Sequence, residues 1–374
     1  MKLTDTVMSV KTYLIPRSIA ERVLVVGPQH QNYQGGIGYL IHIYSQYFEA
    51  FKFVTTHKLV RSKTALILYF LRQYSEFVGK LSKDSKIRIV HIHGSSYGSF
   101  YRKLVLFLTS KYLFGQKVIY HMNGSEFATF YQESNPVRRK LIRFMVENVD
   151  VVLCLSKSWE RFFKQNFHAK RVEILYNIVD HRHVPKKVWQ KKPGEVLKVL
   201  FLGAIGPRKG VFDLLDVISQ NRSLFQGQLQ LIIGGNGETE QLENYIREHQ
   251  LEQIVAFEGW VVGQHKARLL TDCHLFVLPS YSEGVPFAIL EAMSYGLPIL
   301  STPVGGTAEV VREGENGFLV QPGDKAALFH YLKKFLNEPA LLERMGRESG
   351  RICRSYRPET VLPQLLRIYE SILN

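Results

Sequence analysis

An apolar run that ends in glycine and feeds a helical pattern occurs twice in this chain. Arg22-Val23-Leu24-Val25-Val26-Gly27-Pro28 leads to Gly35-Gly36-Ile37-Gly38-Tyr39-Leu40. Lys198-Val199-Leu200-Phe201-Leu202-Gly203 leads through Gly206-Pro207-Arg208-Lys209-Gly210 to Val211-Phe212-Asp213-Leu214-Leu215. Continuous apolar strands suit parallel sheets buried on both faces. Each pair opens a βαβ domain, so the expected fold is α/β, with two Rossmann-like domains facing a cleft.

Further apolar runs support both halves. The first half adds 87–93, 117–121 and 149–154; the second adds 229–234, 255–259, 275–278 and 298–301. Helical patterns such as 136–148 and 238–250 alternate with them. The charged, Pro- and Gly-containing stretch 181–196 is the expected linker. The first domain is then residues 1–180 and the second begins at 197.

At 374 residues the chain is long enough for two ordinary domains. No run approaches the roughly 18–20 apolar residues that span a bilayer, and the first twenty residues show no secretory pattern. Three widely spaced cysteines, Cys154, Cys273 and Cys353, fit neither a disulfide framework nor a zinc site, and point to a reducing cytoplasm. Residues 1–180 hold 26 of the 48 Lys/Arg but only 12 of the 33 Asp/Glu. That excess suggests an anionic partner for the first half: nucleic acid, lipid head groups or a phosphorylated acceptor. It equally fits a solvated basic surface.

The densest motif is Ser282-Glu283-Gly284-Val285-Pro286-Phe287-Ala288-Ile289-Leu290-Glu291. Pro286 suits the first position of a helix, which places Glu283 and Glu291 at the carboxyl end of the strand 275–278. Open α/β sheets bind ligands there, and carboxylates accept hydrogen bonds from sugar hydroxyls. The turn Gly203-x-x-Gly206-Pro207-Arg208-Lys209-Gly210 offers free N–H groups and two cations, a natural pyrophosphate site. Taken alone it is equally a capped loop with a solvated basic pair. Gly35-Gly36 is the matching loop of the first half; it lacks the dinucleotide spacing and the acidic residue that follows it, against a nicotinamide cofactor. His91-x-His93 invites a metal reading but needs a third ligand, so no metal is expected. His121, Asn123 and Glu126 end another strand and are expected cleft residues. Glu309, after Gly305-Gly306-Thr307, suits a helix start.

Together these residues resemble the retaining glycosyltransferases of family 4, with the GT-B fold. Glu283 and Glu291 match that family's glutamate-x7-glutamate motif, Arg208 and Lys209 its phosphate-binding pair, and Gly35 and Gly36 its amino-terminal glycine loop. The resemblance implies that Arg208 and Lys209 neutralise the donor diphosphate, that Glu291 binds the ribose and that Glu283 contacts the transferred sugar together with Gly284, Val285 and Pro286. It places the nucleobase near Trp260 and His121 at the reaction centre on the acceptor side. It implies a second domain at 197–355 and a final helix, 356–374, crossing back to the first domain. No cofactor or metal is implied; a nucleotide-diphosphate sugar is the donor substrate.

The first half is similar to bacterial enzymes that build surface polysaccharides on lipid-linked oligosaccharides. A hexose would pass to a saccharide acceptor at an anionic membrane surface, on the cytoplasmic face of the plasma membrane. Arg61 to Phe70 and Arg102-Lys103-Leu104 set basic residues beside apolar ones, as peripheral binding requires; core-facing helices with charged rims would look the same. Alternatives are an epimerase or phosphorylase of this fold, or a non-catalytic protein binding anionic lipid or nucleic acid. No nucleic-acid module is recognisable.

Overall fold

The computed structural model describes residues 12–374 except 32, 34, 59–61, 183 and 185–193. Most of the expected linker and Arg61 lie outside the described residues. The first sheet holds β1 (Val23–Pro28), β2 (Lys52–His57), β3 (Ile89–Gly94), β4 (Lys117–Met122), β5 (Val151–Cys154) and β6 (Val172–Ile174), in the order β2-β1-β3-β4-β5-β6. The second holds β7 (Leu197–Leu202), β8 (Leu229–Gly234), β9 (Val255–Phe257), β10 (Leu275–Leu278), β11 (Ile299–Ser301) and β12 (Gly317–Leu319), in the order β12-β11-β10-β7-β8-β9. The neighbouring strands in both sheets run parallel. Two Rossmann-like domains are thus present.

The central strands β3 and β10 are buried along their whole length. Such burial, continuously apolar in β10 and including two histidines in β3, is possible because helices cover both faces. In each sheet the first strand sits inside the order, with its successors on both sides: β1 lies between β2 and β3, and β7 between β8 and β10. Loops leaving the strand ends diverge at such a point and open a crevice. Both glycine loops follow these two strands.

The last helix, Pro358–Leu373, closes one face of the first sheet. Its Val361, Leu362, Leu365 and Tyr369 pack in one buried cluster with Val25, Leu40 and Tyr44. The burial of that apolar stripe fastens the end of the chain to its first half. The halves also meet directly. Asn177 Nδ2 donates to the Val285 carbonyl at 2.7 Å, and the Ser158 hydroxyl donates to the Gly305 carbonyl at 3.1 Å. The three cysteines are buried and form no disulfide among the described residues. Among the described residues no helix is long and apolar enough to cross a membrane.

Candidate active site

A cavity of about 770 Å³ lies between the sheets, over the carboxyl ends of β1 and β7. Gly35, Gly36, Arg208, Lys209, Trp260, Glu283, Gly284, Val285, Pro286 and Glu291 all line it. So does Lys266, which the sequence motifs do not single out.

The basic turn is built by backbone constraints. After β7 the chain forms a short turn, Pro207–Lys209, and enters the helix Val211–Gln220 through Gly210 at φ 68°. A Cβ on Gly210 would lie 2.1 Å from the Pro279 carbonyl oxygen, so only glycine fits. That close approach ties the turn to the loop after β10. Tyr281 N donates to the Arg208 carbonyl at 2.9 Å, and Arg208 Nη1 donates to the Ser282 carbonyl at 3.2 Å. Lys209 and Glu283 are thereby brought together: Lys209 Nζ donates to Glu283 Oε1 at 2.5 Å, and Ser280 Oγ donates to the same oxygen at 2.7 Å. Glu283 is buried, whereas Arg208 is exposed at the cavity mouth.

Glu291 sits on the helix Phe287–Ser294. Pro286, with ψ 124°, is the extended residue just before that helix rather than its first residue. Lys266, on the helix Gly263–Asp272, donates to Glu291 Oε1 at 2.5 Å and lies 5.5 Å from the centre of the Tyr39 ring. Burial works to lower the Lys266 pKa, but the Glu291 carboxylate beside it leaves the pKa raised overall. Two lysine–glutamate pairs therefore border one cavity.

The glycine loop of the first half has two separate requirements. Gly35 adopts φ 100°, open to glycine. A Cβ on Gly36 would lie 2.5 Å from the Phe287 ring, so the loop's close approach is to the other half of the chain. Trp260 follows β9, is 42% exposed and offers a ring face for stacking.

His121 is fully buried and does not line the cavity; from that strand end Asn123 and Ser125 do. Asn123 Nδ2 donates to the His121 carbonyl at 2.8 Å and contacts His93 Nδ1 at 3.3 Å. Glu126 does not line the cavity either. His91, His93 and His121 place candidate ligand atoms within 4.8 Å of one another, so β4 supplies the third histidine that the β3 pair lacked. Their rings stack, however. His91 and His93 have centroids 4.6 Å apart and planes 15° apart, whereas His93 and His121 are tilted by 35°. The ring nitrogens of His91 contact the Tyr369 hydroxyl at 2.6 Å and His121 Nδ1 at 3.2 Å. Burial holds all three imidazoles below the usual range, His121 at about 3. Among the described residues His93 Nε2 and His121 Nε2 are buried without a partner.

Glu309 lies in the first turn of its own short helix, Thr307–Val310, and also serves a second helix start. Its carboxylate accepts from Lys157 N at 3.0 Å and Ser158 N at 3.1 Å, capping the helix Lys157–Asn166 of the other half.

Comparison with known proteins now gives this geometry a context. Residues 38–183 match the family model Glycosyltransferase Family 4, and residues 185–351 match Glycosyl transferases group 1. An uncharacterized glycosyltransferase of Methanocaldococcus jannaschii is 25% identical over 63% of this chain and 63% of its own length. A phosphatidyl-myo-inositol mannosyltransferase of Mycobacterium leprae is 33% identical over 46% of each chain. The chain thus matches about half to two thirds of the length of these curated relatives. Among solved structures, sucrose-phosphate synthase of Thermosynechococcus elongatus superposes with a TM-score of 0.76 at 17% identity, covering 94% of this chain and 99% of that one. Anabaena HepE in complex with UDP-glucose gives 0.71 at 16% identity, covering 93% and 99%. The two family matches meet near residue 184 and together leave only the chain's ends uncovered. The chain belongs to the glycosyltransferases that join a family 4 domain to a group 1 domain in the GT-B fold.

Proposed function

We propose that the protein moves a hexose from a nucleotide-diphosphate sugar to a saccharide acceptor, with retention of configuration. The observation that carries this reading is the cationic turn Arg208-Lys209 fixed against Glu283 in a cavity walled by both domains. Departure of a sugar from a diphosphate builds negative charge on phosphate and positive charge on the sugar carbon. Fixed cations at one and a carboxylate at the other stabilise that separation. Arg208, exposed at the mouth, clamps phosphate oxygens, and Lys209 adds a point charge. Lys266 holds one oxygen of Glu291, so the other accepts from a ribose hydroxyl. Trp260 stacks on the base. A related fold is solved with UDP-glucose, which makes a UDP-sugar the first donor to test.

The acceptor in this reading is a lipid-linked oligosaccharide of bacterial polysaccharide biosynthesis, met at the cytoplasmic face of the plasma membrane. Support comes from the first half's surface. Ile67, Leu68 and Leu71 project from the helix Lys63–Lys83, and Val137, Leu141 and Phe144 project from Pro136–Asn148, all exposed. Exposed Tyr112 stacks on Phe144 with centroids 6.1 Å apart. Arg138, Arg139 and Lys140 interrupt the second stripe. An apolar face set among basic residues is the chemistry that an anionic bilayer attracts.

The test is a donor screen with product analysis. Wild-type protein should bind one nucleotide sugar, consume it only when a saccharide acceptor is added, and give an axial–equatorial outcome matching the donor. Donor consumption without acceptor would instead favour an epimerase or phosphorylase. Full turnover in Arg208→Ala, Lys209→Ala and Glu291→Ala alike would sink the assignment.

A further inference from the structure

Three basic side chains, Lys103, Arg102 and His57, gather at the carboxyl ends of the first sheet, and among the described residues none of them shows a hydrogen bond or ion pair to a carboxylate. Lys103, on the helix Gly98–Leu108, is 2% exposed; burial pushes its pKa well down, and among the described residues its side-chain nitrogen donates only to the Thr56 hydroxyl near the end of β2. Arg102 beside it is partly buried, and its Nε has no partner among the described residues. His57, the last residue of β2, lines the cavity with Lys58, and its Nδ1 is buried without a partner among the described residues. The charges of Arg102 and Lys103 both act on His57, and that of Lys103 also acts on His93. The groups therefore share one field.

Folding alone gives no reason for this arrangement. A buried ammonium without a counter-charge is costly, and apolar replacement of such a group is commonly neutral or stabilising. The neighbouring backbone shows a second departure from economy. Tyr97 is held at φ 53° and ψ −129° just before the helix, a conformation side chains rarely adopt. Ser96, 7% exposed, has a hydroxyl without a partner among the described residues. The unbonded N–H groups of this eleven-residue helix begin there.

We propose that this cluster binds the phosphoryl or pyrophosphoryl group of the acceptor. Lys103 and Arg102 supply the counter-charge, His57 and Lys58 the rim, and Ser96 Oγ with the helix N-terminus the neutral donors. The inference rests on the transfer reading above and adds what the acceptor must carry. It also fits an acceptor with an apolar anchor. Tyr97, Tyr101, Val105 and Leu108 are all exposed and recur every three or four residues along the same helix, forming a stripe that leads away from the cluster.

The test separates this site from the donor site. In full-length Arg208→Ala/Lys209→Ala protein, which lacks the donor-side cations, inorganic pyrophosphate should still raise the thermal unfolding temperature. Adding Lys103→Met should weaken the apparent affinity at least tenfold, while the anion-free protein unfolds at the same or a higher temperature. Arg102→Ala, at a less buried position, should weaken binding without a folding effect. Farnesyl pyrophosphate binding tighter than inorganic pyrophosphate would assign a lipid-linked acceptor; equal binding would assign a soluble phosphorylated one. Loss of the pyrophosphate response in the Arg208→Ala/Lys209→Ala protein, or a response unchanged by Lys103→Met and Arg102→Ala, overturns the site. Pyrophosphate binding without any nucleotide-sugar binding by wild type would leave the anion site standing and remove the transfer reading.

Discussion

Lys209 Nζ and Glu283 Oε1, 74 positions apart in sequence, lie 2.5 Å apart, with both side chains largely buried. The pair aims a cation and a carboxylate into one cavity, and each keeps the other from being an isolated charge. Lys209→Met should leave Glu283 with Ser280 alone and cost about 3 kcal/mol, as when one partner of a buried pair is removed. The double variant Lys209→Met/Glu283→Gln should recover most of that loss while remaining inactive. Urea denaturation of the three proteins measures this; equal stability of the single and double variants would contradict it.

Glu309 joins the halves by capping a helix that belongs to the other one. A carboxylate at a helix N-terminus contributes on the order of 0.3–1 kcal/mol. Glu309→Ala should therefore lower overall stability by less than about 1 kcal/mol. Because the contact also bridges the halves, limited proteolysis at the junction should accelerate more than that small loss accounts for. Unchanged cleavage kinetics would show that the cap does not hold the halves together.

The central strands were legible because they are apolar runs, broken in β3 only by its two histidines. The three strands without a sequence signal, β2, β6 and β12, are all sheet edges. In β2 only Val54 and Thr56 are buried, and β6 and β12 are three residues long. β2 and β6 bury little, and β12, though two of its three residues are buried, opens on Gly317, so none leaves much hydrophobic pattern. The site divides in the same way. Glu283, Glu291, Arg208 and Lys209 were legible from spacing around turns. Lys266 was not, because its only distinction is a contact with Glu291 made in space. The depth of His121 was hidden for a related reason: β3 and β4 pair His93 with His121 in register, which no spacing within one strand reveals.

Gly305 adopts φ 58°, and a Cβ there would lie 1.9 Å from the Glu283 carbonyl oxygen. Gly314 adopts φ 74° with nothing within 4 Å. The two sites separate backbone strain from collision. Gly314→Ala should cost about 1–2 kcal/mol, the left-handed penalty alone, and leave donor binding intact. Gly305→Ala should cost more and weaken donor binding, because the Glu283 loop must move. Calorimetric binding of the donor nucleotide, alongside denaturation, distinguishes them; equal effects in both would dissociate Gly305 from the site.

His91, His93 and His121 are neutral when folded, because burial above all holds their pKa values down, that of His121 at about 3. Unfolded histidines titrate near about 6.5. Below that pH the unfolded chain binds more protons, so stability is complete above it and falls as pH drops towards the folded values. Each histidine contributes a slope of about 1.4 kcal/mol per pH unit. Denaturation between pH 6 and 5 should show this steep loss, and His121→Asn should remove about one histidine's share. An unchanged slope in that variant would mean that His121 is already charged in the fold.

Leu113 is 70% exposed and Val137 69%, beside the stacked Tyr112 and Phe144. In a membrane-docked protein these side chains enter the headgroup boundary, where burying one such side chain contributes about 1.5–3 kcal/mol. Leu113→Glu/Val137→Glu should therefore weaken sedimentation with phosphatidylglycerol vesicles by more than tenfold. Replacing Arg138, Arg139 and Lys140 with alanine should also weaken it, by about 1 kcal/mol each, and that contribution should fade with salt while the apolar one persists. Neither substitution touches the cavity, so turnover of a water-soluble acceptor should stay at the wild-type rate. Vesicle binding that survives the double glutamate variant would remove this face as the docking surface.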